Sequence, residues 1–154
     1  MIFTIKKTVL LLIITLLSVT AGYAFIDSYT ISRDKLPEEA QKMLAEYFPK
    51  AKVSLIKIDR HLLKKTDYDV RLTNGTTVEF SNKGKWKSVN CGKKTVPEGL
   101  IPKKIRNYVA KNYPDVSIVG ISKTASSYSI ALSDSVKLKF NSLCQFKSVE
   151  MENG

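Results

Sequence analysis

One hydrophobic pattern occurs twice in this chain, and such self-similarity constrains architecture more tightly than any composition. Residues 36–90 run LPEEAQKMLAEYFPKAKVSLIKI, then YDVRL, VEF and WKSV; residues 101–149 run IPKKIRNYVAKNYPDVSIVGI, then YSIAL, LKF and FKSV. Leu36-Pro37 aligns with Ile101-Pro102, and Phe48-Pro49 with Tyr113-Pro114, at one offset. Tyr68, Phe80 and Trp86 align with Tyr128, Phe140 and Phe146 at a second offset, five residues shorter. A single deletion between the first two strands of the second copy accounts for the change. What recurs is an apolar framework and not a set of reactive side chains, so the sequence speaks more clearly about fold than about chemistry.

The local signals agree between the copies. Pro37 opens a helix, because a proline at the first helical position gives up an N–H that has no partner there anyway. Glu38 and Glu39 suit the positive end of the helix dipole. Ala40, Met43, Leu44 and Tyr47 follow the spacing of one buried stripe, and Pro49 disfavours helix at Phe48. Pro102 and Pro114 bracket the second helix, with Ile105, Tyr108 and Val109 as its buried stripe, and a short turn at Pro97–Leu100 leads into it. Strands follow each helix. Val53, then Leu55 or Ile56, then Ile58 mark the first; Tyr68, Val70 and Leu72 alternate with Asp69 and Arg71 in the second. Asn74-Gly75 is a hairpin signal, since both residues accept positive φ. Val78 and Phe80 point inward on the return strand, and Asn82-Lys83-Gly84-Lys85 turns into a last strand with Trp86 and Val89. The second copy offers Ile118–Ile121, Tyr128/Ile130/Leu132, Val136/Leu138/Phe140 and Phe146/Val149. The expected class is therefore α+β: two tandem repeats, each a helix plus a four-stranded antiparallel meander.

The N-terminus reads as an address. Lys6 and Lys7 precede an apolar run from Val9 to Val19, and Gly22-Tyr23-Ala24 resembles a small-residue cleavage site, the layout of a secretory signal peptide. The run is shorter than the roughly 20 apolar residues of a membrane span. The expected organisation is a signal peptide over 1–24, an N-terminal segment over 25–35, repeats over 36–90 and 96–150 joined by a linker at 91–95, and a tail at 151–154. The expected location is periplasmic or secreted, with no membrane span after cleavage. The net charge is +11; without Lys6 and Lys7, 23 basic residues face 14 acidic ones, leaving +9. A diffuse positive field favours acidic partners without naming one. For an exported protein, an envelope protein or an anionic envelope glycan or lipid head group fits better than nucleic acid.

Little in the chain can carry catalysis. His61 is the sole histidine, and no nucleophile elbow, phosphate loop, zinc pattern or calcium loop accompanies it. Asp67 and Asp69 sit two apart on one strand, hence on one face, but Ser127 and Ser129 replace them in the second copy. No enzyme activity and no cofactor is expected. Arg71, Lys137 and Lys139 project opposite the apolar residues of their strands, and Lys85, Lys87 and Lys147 flank the last strands; together they are a candidate basic, partner-binding surface. Such lysines also protect exposed strands from sheet-to-sheet association. Trp86 is either a partner-binding anchor or a core residue. Cys91 and Cys144 would enter an oxidising compartment in which a disulfide between them could persist; two free thiols are the other option.

The order Leu36-Pro37, Phe48-Pro49, Tyr68-Asp69-Val70-Arg71-Leu72, Asn74-Gly75, Val78-Glu79-Phe80, Gly84-Lys85-Trp86, Val89, Cys91 and Val96-Pro97 resembles the PepSY-like, beta-lactamase-inhibitor-like family of small periplasmic bacterial proteins. The resemblance covers residues 36–149. It implies that the repeats join into one curved sheet with the helices on one face, and it carries no established activity. Ser133-Asp134-Ser135 replaces the NG-type turn in the second copy, and Cys144 stands where a turn glycine is expected. The combined reading is an exported, non-enzymatic binding protein, an inhibitor or modulator of an envelope protein acting through its open sheet face. The alternative is a binder of anionic glycan or lipid head groups.

Overall fold

A computed structural model describes residues 27–60 and 66–151. The expected signal peptide and His61 lie outside these residues. In chain order the elements are β1 (Ser28–Thr30), a 3-10 turn (Arg33–Lys35), α1 (Glu38–Tyr47), β2 (Val53–Asp59), β3 (Asp67–Leu72), β4 (Thr77–Phe80), β5 (Trp86–Asn90), a second 3-10 turn (Glu98–Leu100), α2 (Lys103–Asn112), β6 (Ile118–Lys123), β7 (Ser127–Leu132), β8 (Val136–Asn141) and β9 (Phe146–Met151).

The expected α+β class, with its two tandem helix-plus-meander repeats, is corrected by this arrangement. The nine strands pair antiparallel in strict sequence order into one sheet, so the protein is mainly β, and helix is confined to two ten-residue segments. The ladder does not break in the middle. β5 pairs with β6 through Ser88↔Ser122, Val89↔Ile121 and Asn90↔Gly120. The segment meant to link two units is itself stitched to β6: the Cys91 N–H donates to the Val119 carbonyl at 2.8 Å, and the Val96 N–H to the Ile118 carbonyl at 2.8 Å. The ninth strand, β1, comes from the polar lead-in and pairs with β2. Three residues, SYT, carry too little alternation to be recognised without their partner.

Both helices cover one face of this sheet. Ala40, Met43 and Leu44 of α1 and Ile105 and Val109 of α2 join one apolar cluster with Ile56, Val70, Val78, Phe80, Ile130, Leu138 and Phe140. Pro37 and Pro102 sit at the N-caps, one residue before the helices, and neither end has a side-chain cap. Phe48 and Tyr113 close the helices with N–H bonds to Leu44 and Val109 carbonyls at 3.0 and 2.8 Å. A bulge between Val53 and Leu55 decides the one register that alternation left open, placing Ile56 and Ile58 inward. Gly84 has φ +80, and a Cβ there would lie 2.8 Å from the Ala40 nitrogen and 2.9 Å from the Pro37 Cβ. The β4–β5 turn thus rests directly on the start of α1, a close approach that glycine alone allows. No helix among the described residues is long and apolar enough to cross a membrane.

Candidate functional site

Among the described residues no element covers the face away from the helices, and strand register determines what that face presents. Because directly opposed residues in antiparallel strands point to one side, the pairings define a row across all nine strands: Tyr29, Lys57, Asp69, Glu79, Ser88, Ser122, Ser129, Lys139 and Ser148. A parallel row carries Arg71, Thr77, Asn90, Gly120, Ala131, Lys137 and Glu150. The middle of both rows is built from serines, glycine and alanine. Their short side chains leave two shallow hollows that share Ser88: one of ≈190 Å³ over Gly120, Ser122, Ser129 and Ala131, the other of ≈280 Å³ over Asp69, Arg71, Thr77 and Glu79. Polar strands with a low, small-residue centre make a trough that a partner can enter without displacing large side chains.

Charge is distributed unevenly along the trough. On the β2–β4 side stand Asp59, Asp67, Asp69 and Glu79. Lys57 bridges Asp59 at 2.9 Å and Asp27 at 3.2 Å, and these carboxylates, Asp59 foremost, hold its ammonium firmly protonated. Lys87 bridges Glu79 at 2.6 Å and Asp67 at 3.2 Å, and its pKa is raised, chiefly by the hydrogen bond to Glu79. Asp69 joins none of these pairs. Desolvation by its neighbours, followed by the charges of Glu79 and Asp59, pushes its carboxyl pKa up. On the β8–β9 side Lys139 pairs with Glu150, next to Lys137 and the exposed Lys147.

This geometry places the residues singled out in the sequence. Arg71, Lys87, Lys137 and Lys139 share the open face, but they do not form a uniform basic patch, because Lys87 and Lys139 are engaged by carboxylates. Lys87 reaches that face through a bulge: Glu79 opposes Ser88 while Phe80 opposes Trp86, leaving Lys87 as the extra residue. Lys147 holds the corresponding place between Phe146 and Ser148. Lys85 lies in the β4–β5 turn, where its charge helps lower the pKa of Lys123. Spacing alone puts Asp67 and Asp69 on one outward face, but their gathering with Asp59 and Glu79, and the small-residue floor, depend on register across strands far apart in the chain.

Cys91 and Cys144 are free thiols. Cys91 follows the Asn90 end of β5, whereas Cys144 lies in the β8–β9 turn at the opposite end of the strands, a separation of roughly 15 Å along the sheet. A disulfide needs Cα atoms within about 7 Å. Burial raises the pKa of the Cys91 thiol.

Trp86 belongs to the helix side. It lines a cleft of ≈320 Å³ with Tyr47, Lys123 and Tyr128, and the Lys123 ammonium sits 3.6 Å from its ring centroid. Burial, then Lys85, lowers the Lys123 pKa. Among the described residues no group of three or more His, Cys, Asp or Glu side chains is placed to hold a metal ion. Asp67, considered with Asp69 as a catalytic pair, is taken up by Lys87.

The sequence profile of the family described as putative beta-lactamase-inhibitor-like, PepSY-like matches residues 66–148. A putative periplasmic protein of unknown function from Bacteroides vulgatus ATCC 8482 is 33% identical and superposes with a TM-score of 0.78, over 81% of this chain and 99% of its own. A second putative periplasmic protein from the same organism is 33% identical with a TM-score of 0.76, over 80% of this chain and 96% of its own. The same four values describe a putative calcium-regulated periplasmic protein from Bacteroides thetaiotaomicron. No curated protein matches the sequence.

Proposed function

Because the chain belongs to the PepSY-like, beta-lactamase-inhibitor-like family of periplasmic proteins, we propose that it is a non-enzymatic binding protein that receives an envelope protein in the trough of its open sheet face and thereby inhibits or modulates it. Export would proceed by removal of residues 1–24. The observation that carries this reading is the cross-sheet row from Lys57 to Ser148, in which small polar residues at the centre are flanked by Asp69 and Glu79 on one side and Lys139 on the other.

A partner suited to such a face presents basic groups toward Asp67, Asp69 and Glu79 and acidic groups toward Lys137 and Lys139. Complementarity of this kind fixes orientation and partner choice more than raw affinity. A polyanion would meet carboxylates along half of its path, which disfavours the glycan or lipid reading. The calcium regulation named for the B. thetaiotaomicron relative is not part of this proposal, since no three of the described His, Cys, Asp or Glu side chains are grouped to hold a metal ion.

Affinity capture from solubilised envelope tests the reading. The wild-type protein should retain one envelope protein at high salt, and Ala131→Trp, which fills the trough floor, should release it. Retention of acidic glycan or lipid only at low salt, abolished by changing Arg71, Lys137 and Lys139 to Ala, would replace the protein partner with an anionic ligand. Capture equally strong with Ala131→Trp would remove the trough from the mechanism.

A further inference from the structure

The last strand of the sheet is built differently from the rest. Every residue of β9 is exposed, although it is six residues long and its apolar side chains alternate in the ordinary way. Ser148 and Glu150 oppose Lys139 and Lys137 on the open face, while Val149 opposes Leu138 on the helix face. Val149 remains 46% exposed and Met151 77% exposed, because among the described residues no element continues the sheet beyond them. Phe146, 37% exposed, is held upright by stacking on Tyr108 of α2, 5.0 Å between ring centroids. A long edge that combines free backbone groups with an apolar stripe is a template for pairing with another strand.

We propose that β9 pairs antiparallel with β9 of a second copy, closing a symmetric dimer with a continuous sheet. Self-complementarity selects this occupant and one register. With Val149 opposite its symmetry mate, Ser148 opposes the partner's Glu150 on the open face. Lys147, the extra residue of the bulge, then stands beside that same carboxylate, and the two-fold axis repeats the contact. On the helix face the two Val149 side chains meet, and each Met151 reaches the partner's Phe146. Sliding one chain by two residues in one direction sets Glu150 against Glu150, a like-charge pair that opposes association. Sliding it the other way sets Val149 against Lys147. The opposite edge offers no equivalent: β1 has three residues, and pairing β9 with β1 of another copy would propagate into a fibre and not close.

Sedimentation of the purified secreted chain over a concentration series tests the proposal, with far-UV circular dichroism confirming that each variant is folded. Wild type should dimerise reversibly. Lys147→Glu alone and Glu150→Lys alone should each weaken the dimer about tenfold, since each reverses two symmetry-related contacts. The double exchange, made in a Lys139→Gln background because Lys139 already holds Glu150 within the chain, should restore it. Val149→Pro, at a position whose backbone N–H points away from β8, should abolish it while leaving the monomer folded. A monomer at all concentrations up to the millimolar range would overturn the proposal, as would a dimer indifferent to these changes or growth into longer assemblies. Failure of the double exchange to restore association would overturn the register. None of these outcomes depends on whether the trough captures a partner.

Discussion

The two flanks of the sheet, β2–β5 and β6–β9, share their apolar framework but differ in how firmly their turns and helix ends are made. Tyr68, Phe80 and Trp86 face one another across β3, β4 and β5, as Tyr128, Phe140 and Phe146 do across β7, β8 and β9. On the first flank the positive-φ positions are Gly75 and Gly84; on the second they are Ser135, at φ 67, and Cys144, at φ 60. Helix α1 begins with Glu38 and Glu39 in its first turn, whereas α2 has no acidic residue there and begins with Lys103 and Lys104. The outer strand of the second flank is exposed throughout, while β5, in the middle of the sheet, is half-buried along most of its length. Good core packing evidently tolerates imperfect turns. The first flank has a turn seated on a helix, and the second adds an aromatic cluster of Tyr108, Phe140 and Phe146 to its aliphatic core.

The sharpest way to break the contrast is Gly84→Ala. The methyl would meet the backbone of Ala40 and the Pro37 ring, and the residue would carry a left-handed φ. Adding an L-residue penalty of 1–2 kcal/mol to an overpacking cost of similar size gives a loss of about 3 kcal/mol, measured by urea unfolding. Gly75→Ala separates the two contributions. Gly75 has φ +86 but nothing within 4 Å of an added Cβ, so only the conformational term remains, about 1 kcal/mol. Equal losses at the two sites would show that the turn does not seat on α1.

The second flank should respond in the opposite sense. Lys104→Glu places a carboxylate in the first turn of α2, with an expected gain of about 0.5 kcal/mol. Ser135→Gly relieves a left-handed φ at an exposed position, partly offset by the greater chain entropy of glycine, for a net gain of about 0.5 kcal/mol. If neither raises the unfolding midpoint, the weaker turns and helix end of this flank cost nothing.

Much of this was legible in the sequence because strand alternation and turn chemistry are local. Asn74-Gly75 and Gly84 announce their turns, and Val70, Val78, Phe80, Leu138 and Phe140 declare their inward side by period two. The class was misjudged because one helix per copy was weighed against four strands, whereas helix is confined to two ten-residue segments on a single nine-stranded sheet; that the copies join came only from the family resemblance. The sheet continues across the middle through only three paired positions, Ser88, Val89 and Asn90, which nothing in the repeat itself reveals. The candidate site suffered for a related reason. Arg71, Lys137 and Lys139 were placed on the outward face by alternation alone, but their neighbours are set by register between strands up to tens of residues apart. Lys87 needed a bulge to join them, and a bulge leaves no mark in the hydrophobic pattern. Asp69 was read beside Asp67, its sequence neighbour, although its strongest electrostatic partner is Glu79 across the ladder.

Asp69 therefore supplies the finest probe of the difference between the flanks, since Ser129 stands in its place on β7. Its raised carboxyl pKa means that the folded protein binds the proton more tightly than the unfolded chain does. The stability associated with the protonated form is fully present below the unfolded pKa and is lost as pH rises through the folded one. At neutral pH the charged carboxylate is thus a burden, chiefly through desolvation and then through Glu79 on β4 and Asp59 and Asp67 beside it, with Lys57 on β2 opposing. Asp69→Asn should remove that burden, raising stability at pH 7 by a few tenths of a kcal/mol, roughly the scale of an exposed charge interaction. The gain should vanish as pH falls below the ordinary carboxylate range, where wild-type Asp69 is already neutral. Ser129→Asn on the other flank should produce no pH-dependent change. A gain that persisted at low pH would assign the effect to packing and leave the acidic side of the trough without the crowding inferred for it.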